Sequence, residues 1–203
     1  DSESCYNDDG RGRKGDADGF ACNDNTHNIT VRRCKSHHNS EDGFDFRATG
    51  TMTIDSCIAI HNGATGMKLW KGGQLINSVT AFNTTGVGCG RLERKGDKAD
   101  FTHTIINCTI TKNKYSSIRA GGDKLIVRNT IINGPTELRD DPGFKQYDAS
   151  KGSLPVEEDY NMFSTDSRGR GPEGAHSFRE ADPGFMDLDR DDYRPKPGSP
   201  AVD

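Results

Sequence analysis

Long apolar runs are missing from this 203-residue sequence. None approaches the roughly 18 consecutive residues that a membrane-spanning helix requires, so no such helix is expected. Apolar residues are scarce altogether, at 31% of the chain, and there is a single tryptophan. With a mean hydropathy of −0.84, the core must be thin, and the length suits one domain. Charge of one sign is also missing. Lys and Arg total 27 against 31 Asp and Glu, a net charge of −4, which gives no support to a basic nucleic-acid-binding surface. The six cysteines (Cys5, Cys22, Cys34, Cys57, Cys89 and Cys108) include no CxxC pair and no zinc-finger spacing with histidine. There is no serine-centred nucleophile motif and no glycine loop of the phosphate-cradling kind. The histidines form no ligand set and are expected at the surface.

What the chain does have is glycine, 24 residues of it, and an internal repeat, the feature that decides a fold most directly. Five short β-branched segments align: 29–34, 52–57, 74–79, 103–108 and 125–130, with Cys34, Cys57, Val79, Cys108 and Thr130 as their last residues. A second column, Asn39, Asn62, Asn83 and Asn113, follows four or five residues behind the first four of these. The period is about 22 residues, lengthened once by the polar stretch from Gly90 to Lys98, which reads as a loop.

Strands of four to six residues punctuated by Asn and Gly turns, repeating at this length, describe a coil. Successive coils stack at about 4.8 Å, so equivalent residues lie on top of one another. The expected fold is all-β, a parallel β-helix with an asparagine ladder along one turn. Cys34, Cys57 and Cys108 are expected as buried, reduced thiols of one inward column, since cysteine packs as a small hydrophobe. Coiling is expected to begin near Asp18. Residues 1–135 hold the coils and the site, and 136–203, rich in Asp, Gly, Pro and Arg, form a loop-rich covering of the C-terminal coils in the same domain.

Two stretches carry the chemical signal: Asp16-Ala17-Asp18-Gly19-Phe20 and Asn39-Ser40-Glu41-Asp42-Gly43-Phe44-Asp45. Asp-Gly-Phe recurs 24 residues apart, which places Asp18 and Asp42 on adjacent coils with Glu41 and Asp45 beside them. Carboxylates so crowded must protonate or find a cation, and calcium accepts six to eight hard oxygens in flexible geometry. A single Asp-Gly is an ordinary turn; two in register with two further acids favour calcium. One coil on, Lys68 falls next to Asp45. Its plain reading is a solvated salt bridge of little worth. Its functional reading joins Lys71 and the loop residues Arg91 and Arg94 on a basic face beside a cation, suited to a substrate with repeated carboxylates. The acids are too clustered for the paired-carboxylate chemistry of glycoside hydrolysis.

These residues, together with Gly66-Met67-Lys68-Leu69, resemble the core motifs of polysaccharide lyase family nine. The resemblance covers about residues 15–135. Glu41 stands where the family usually has Asp, and Phe44 where it often has Trp. The resemblance implies a secreted, right-handed parallel β-helix that cleaves pectate by β-elimination. It implies calcium on Asp18, Glu41, Asp42 and Asp45, with Lys68 as the base; Lys71, Arg91 and Arg94, from their place on the basic face, are expected to hold substrate. The expected partner is an acidic polysaccharide, with no nucleic acid, no membrane and a monomeric chain. A lysine base needs a lowered pKa, which is expected from calcium and Lys71. Two alternatives stand beside this reading: a lyase for alginate, a glycosaminoglycan or rhamnogalacturonan, and a non-catalytic polysaccharide-binding or adhesin β-helix.

Overall fold

The structure, a computed structural model, describes residues 1–11, 15–90, 101–134, 154–164, 174–178 and 181–202. The apolar runs are too short to make a sandwich face by themselves, and each is buried only because the next coil covers it. Three parallel sheets result. The first has seven strands: Ser2–Cys5, Cys34–His37, Ile58–Ile60, Val79–Ala81, Thr109–Thr111, Ile131–Asn133 and Met162–Phe163. The second has five: Phe20–Cys22, Phe44–Phe46, Thr65–Leu69, Thr85–Cys89 and Ser116–Ala120. The third has six: His27–Arg32, Thr49–Asp55, Gly73–Ile76, Thr102–Ile106, Lys124–Arg128 and Val156–Asp159. From Ser2 to Asn133 the described strands visit the sheets in this order turn after turn, so the fold is a parallel β-helix, as the repeat predicts. No helix among the described residues is long and apolar enough to cross a membrane.

Inward columns make the core. Phe20, Phe44, Met67, Val87 and Ile118 are in register across the second sheet, and the Phe20 and Phe44 rings stack at 5.1 Å. Ile54, Leu75, Ile105 and Val127 line the third sheet and are buried. Each full burial of such a side chain contributes about 1.5–3 kcal/mol, and the interlocking of the columns fixes the register of every coil.

The cysteine column holds with one correction. Ser78, not Val79, lies in register with Cys57 and Cys108, because the third segment begins at Gly73 opposite His103. Ser78 Oγ accepts the Cys57 N–H (3.0 Å) and donates to the Ile76 carbonyl (2.7 Å). Cys34, Cys57 and Cys108 are buried and all six thiols are free.

The asparagine ladder is present. Asn39 Nδ2 donates to Asn62 Oδ1 (2.9 Å), Asn62 Nδ2 to Asn83 Oδ1 (3.1 Å), and Asn83 Nδ2 to Asn113 Oδ1 (3.2 Å). Each of these oxygens also accepts the backbone N–H of the preceding rung. The left-handed residues at this corner are not these asparagines but their predecessors His38, His61, Phe82 and Lys112, with Tyr6 ahead of Asn7 on the first coil. The rings of Tyr6, His38, His61 and Phe82 stack outside the corner at 4.8–5.0 Å. Gly43 and Gly66 serve closeness, not left-handed turning. A Cβ on Gly43 would lie 2.5 Å from the Gly66 carbonyl oxygen, and one on Gly66 would lie 2.1 Å from Thr80 Oγ1.

Two expectations are corrected. Coiling begins at Ser2, ahead of Asp18: Ser2–Cys5 pairs with Cys34–His37, and the Asn7 N–H donates to Asn39 Oδ1 (3.1 Å) at the foot of the ladder. Ser-Glu-Ser-Cys has no β-branched residue to mark it as a strand. Within the region expected to hold loop-rich C-terminal coils, Val156–Asp159 and Met162–Phe163 extend the third and first sheets. And His103 is not at the surface: it is fully buried, with Nε2 2.9 Å from the Gly90 carbonyl oxygen. Beyond these coils, Phe185–Asp187 and Asp192–Pro195 form an antiparallel pair.

Candidate functional site

The site stands where the chain enters the second sheet. Phe20 pairs with Phe44 and Phe44 with Met67, so Asp18, Asp42 and Thr65, each two residues earlier, share one column. The column is tied along its length. The Asp42 N–H donates to Asp18 Oδ1 (2.9 Å), and the Thr65 N–H to Asp42 Oδ1 (2.6 Å). These bonds set the Asp18 and Asp42 carboxylates one above another.

Asp18, Glu41 and Asp42 each offer an oxygen within 4.8 Å of the others. Glu41 is only 8% exposed, and its Oε1 has no hydrogen-bond partner. A buried carboxylate oxygen without a donor is costly, so this atom is open to a proton, a donor or a cation. Asp45 lies outside that group. Its Oδ1 accepts from Trp70 Nε1 (2.5 Å) and its Oδ2 from Arg47 Nη2 (3.3 Å).

Lys68 is in register with Asp45 on the next strand, but its Nζ reaches Asp42 Oδ2 (2.5 Å) and lies 4.8 Å from the centre of the Trp70 ring. The outward row of the second sheet runs Ala21, Asp45, Lys68, Gly88, Arg119. A Cβ at Gly88 would stand 3.3 Å from Lys68 Cγ, so glycine leaves the lysine its space.

Burial and then the neighbouring negative charge push the acids up: Asp18 to about 6 and Glu41 to about 7. Asp45 is raised too, again chiefly by burial. Burial alone would lower Lys68, but Asp42, Asp45 and Asp18 outweigh it and the ammonium sits above the ordinary lysine value. The lowered value expected from the sequence is therefore not produced by these residues on their own.

The other substrate-binding candidates fall elsewhere. The Lys71 side chain is 1% exposed, with Nζ 3.4 Å from Asp24 Oδ1. It turns inward beyond the strand end at Leu69, where Gly72 and Gly73 take left-handed angles, and does not join a basic face. Arg91 and Arg94 lie outside the described residues. Sequence reasoning passed over Arg47 and Trp70. Both sit two residues after a chosen site residue, on the same face of an extended strand, and that spacing was the available signal. Beside the cluster opens a cleft of about 520 Å³ lined by Asp16, Asp18, Ala21, Asn23, Asp45 and Arg47, among others.

A family model described as a right-handed β-helix region matches residues 4–99. No curated protein matches the sequence. Among solved structures, the crystal structure of pectate lyase Pel9A is similar at a TM-score of 0.50 and 13% identity, over 91% of this chain and 50% of that one. The A-module of the Azotobacter vinelandii mannuronan C-5 epimerase AlgE6 matches at a TM-score of 0.31 and 13% identity, over 75% of this chain and 63% of that one. The chain spans about half the length of the pectate lyase. At that identity the likeness is one of fold, and the architecture is a right-handed parallel β-helix.

Proposed function

We propose that this β-helix acts on an acidic polysaccharide, cleaving a uronate polymer such as polygalacturonate by calcium-dependent β-elimination outside the cell. One observation carries the reading: a lysine shares a half-enclosed corner with three converging carboxylates, one of which keeps a buried oxygen without a donor. A structural salt bridge needs one acid per lysine, and the surplus of negative charge here is what a hard divalent cation offsets.

Asp18, Glu41 and Asp42 fit as the oxygen donors, with Asp45 at their flank. Bound there, calcium would neutralise the acids and draw charge from a uronate carboxylate, so that the proton on the adjacent C5 becomes acidic. The remaining work belongs to the chain. Lys68, held between Asp42 and the Trp70 ring, takes the C5 proton in its neutral form. The C5–H electron pair becomes the C4=C5 double bond, and the C4–O bond breaks with its electron pair on the glycosidic oxygen, which takes a proton from water to become the new hydroxyl. The same carboxylates that hold Lys68 protonated are those a cation neutralises, so readiness of the base is coupled to occupancy of the acids.

The test is ultraviolet detection of unsaturated product from polygalacturonate, alginate, a glycosaminoglycan and rhamnogalacturonan, with calcium and with chelator. Product from polygalacturonate only with calcium supports the proposal. Product from another polymer moves the substrate, and binding without product from any of them leaves a polysaccharide-binding module.

A further inference from the structure

Arg47 is the one basic side chain among the described residues that line the cleft beside the carboxylates. It is held on two sides. Its Nη2 donates to Asp45 Oδ2 (3.3 Å), and its Cζ lies 5.7 Å from the centre of the Trp70 ring. Trp70 is itself fixed by its hydrogen bond to Asp45. The side chain nevertheless remains 41% exposed. A guanidinium has five N–H donors in a planar fork, and a carboxylate fits it through two parallel bonds. Asp45 takes one nitrogen, and Arg47 lines a cleft whose other walls carry acceptors and small polar groups: Asp16, Asp18, Asn23 and Thr26.

That mixture selects a ligand. A plain anion gains from Arg47 but is repelled by Asp16 and Asp18. A neutral sugar satisfies the acceptors but leaves the guanidinium unmatched. A sugar acid offers both a carboxylate for the fork and hydroxyl donors for the acids, Asn23 and Thr26. The pre-ordered arginine also gives up little side-chain freedom on binding, which favours affinity.

We propose that Arg47 is a substrate-carboxylate clamp, binding the uronate unit next to the one held at the Asp18–Glu41–Asp42 corner. This deepens the acidic-polysaccharide reading above and rests on it. It gives Arg47 the role that the buried Lys71 cannot fill. The purely structural alternative is that Arg47 only steadies Asp45.

Titration calorimetry with calcium, using trigalacturonate and its methyl ester as probes, separates the two. The measurement is made in a Lys68→Arg background, which keeps the charge but removes the base, so that the probe survives. Arg47→Gln keeps a donor for Asp45 and loses the charged fork. Arg47→Lys keeps a point charge only. The expected result is about a tenfold or greater loss of trigalacturonate affinity for Arg47→Gln, with a smaller loss for Arg47→Lys. The ester, which has the same shape without the charge, should bind weakly and alike to all three proteins. Unchanged trigalacturonate affinity in Arg47→Gln overturns the clamp, as does an equal loss for acid and ester. If the protein with Arg47 intact binds no trigalacturonate at all, the acidic-polysaccharide reading falls and the clamp falls with it.

Discussion

Two columns of stacked polar side chains run along this helix, and they differ in one atom type. In the asparagine ladder each amide both donates and accepts, so Asn39, Asn62, Asn83 and Asn113 satisfy one another rung by rung. At the neighbouring turn, Asp18 and Asp42 stack with the same coil spacing, but a carboxylate only accepts. Backbone N–H groups and Lys68 supply donors to some of the oxygens; Glu41 Oε1 receives none. One stack is closed by the chain's own chemistry, and the other is left with surplus negative charge. The contrast is the ground for proposing a cation at the second. It can be broken or sharpened by experiment.

The largest effect is expected at Lys68. Lys68→Arg keeps the charge beside the acids but cannot readily lose a proton, and single-turnover formation of unsaturated product should fall by about 100- to 10,000-fold. Lys71→Arg should cost far less, because the Lys71 side chain is buried with its Nζ against Asp24. Near-normal turnover by Lys68→Arg would place the base elsewhere.

The closed stack should respond in stability instead. Asn62→Ala removes a fully buried rung whose Oδ1 accepts two bonds from Asn39 and whose Nδ2 donates to Asn83 and to the Ser36 carbonyl. Leaving such partners unsatisfied should destabilise the fold by about 2–4 kcal/mol in denaturant melts. Calcium should not restore it.

A pH series distinguishes the two stacks without mutation. In the folded protein Asp18 lies at about 6 and Glu41 at about 7, above their ordinary values of 3.8 and 4.5. The native state therefore holds these protons more tightly than the unfolded chain does. The stability they contribute is present at acid pH and is lost as pH rises from about 4 through 7. With chelator, Tm should fall across that window; calcium should cancel the fall by binding the ionised, folded form. A chelated protein whose Tm rises steadily from pH 4 to 7 would contradict the crowding argument.

The smallest effect is expected in the cysteine column. Cys57→Ser places there the residue that already occupies the same register at Ser78, where its hydroxyl bonds to a carbonyl two residues back. It should shift stability by less than about 1 kcal/mol, and thiol labelling should find Cys57 slow in the native protein and fast after denaturation.

The fold was legible because a solenoid writes its register into the sequence. Cys34, Cys57 and Cys108, the asparagines and the two Asp-Gly-Phe triplets each recur with the coil, and the register recovers Asp18 over Asp42 and Lys68 beside Asp45. What was not legible depended on positions with no repeating identity. Ser2–Cys5 joins the first sheet without a β-branched residue, and the left-handed corner ahead of the asparagine ladder is filled by tyrosine, histidine, phenylalanine and lysine. At the site, the sequence placed the acids together but not the direction of their oxygens. Asp45 turns to Trp70 and Arg47, and Lys68 bridges to Asp42 on the adjoining turn. Lys71 was misjudged because three residues of separation from Lys68 cross the end of a strand, after which the chain turns inward.

The most direct test of the account joins metal binding to chemistry in one titration. Calcium is added to chelated protein while heat and unsaturated product from polygalacturonate are followed on matched samples, for the natural chain and for Asp42→Ala. The account predicts one site per chain, with product formation rising at the same midpoint as binding, and neither signal in Asp42→Ala. Binding with no product would reduce the corner to a structural calcium site. Product at full rate in chelator, or normal calcium binding by Asp42→Ala, would contradict the assignment of the stacked carboxylates as the seat of function.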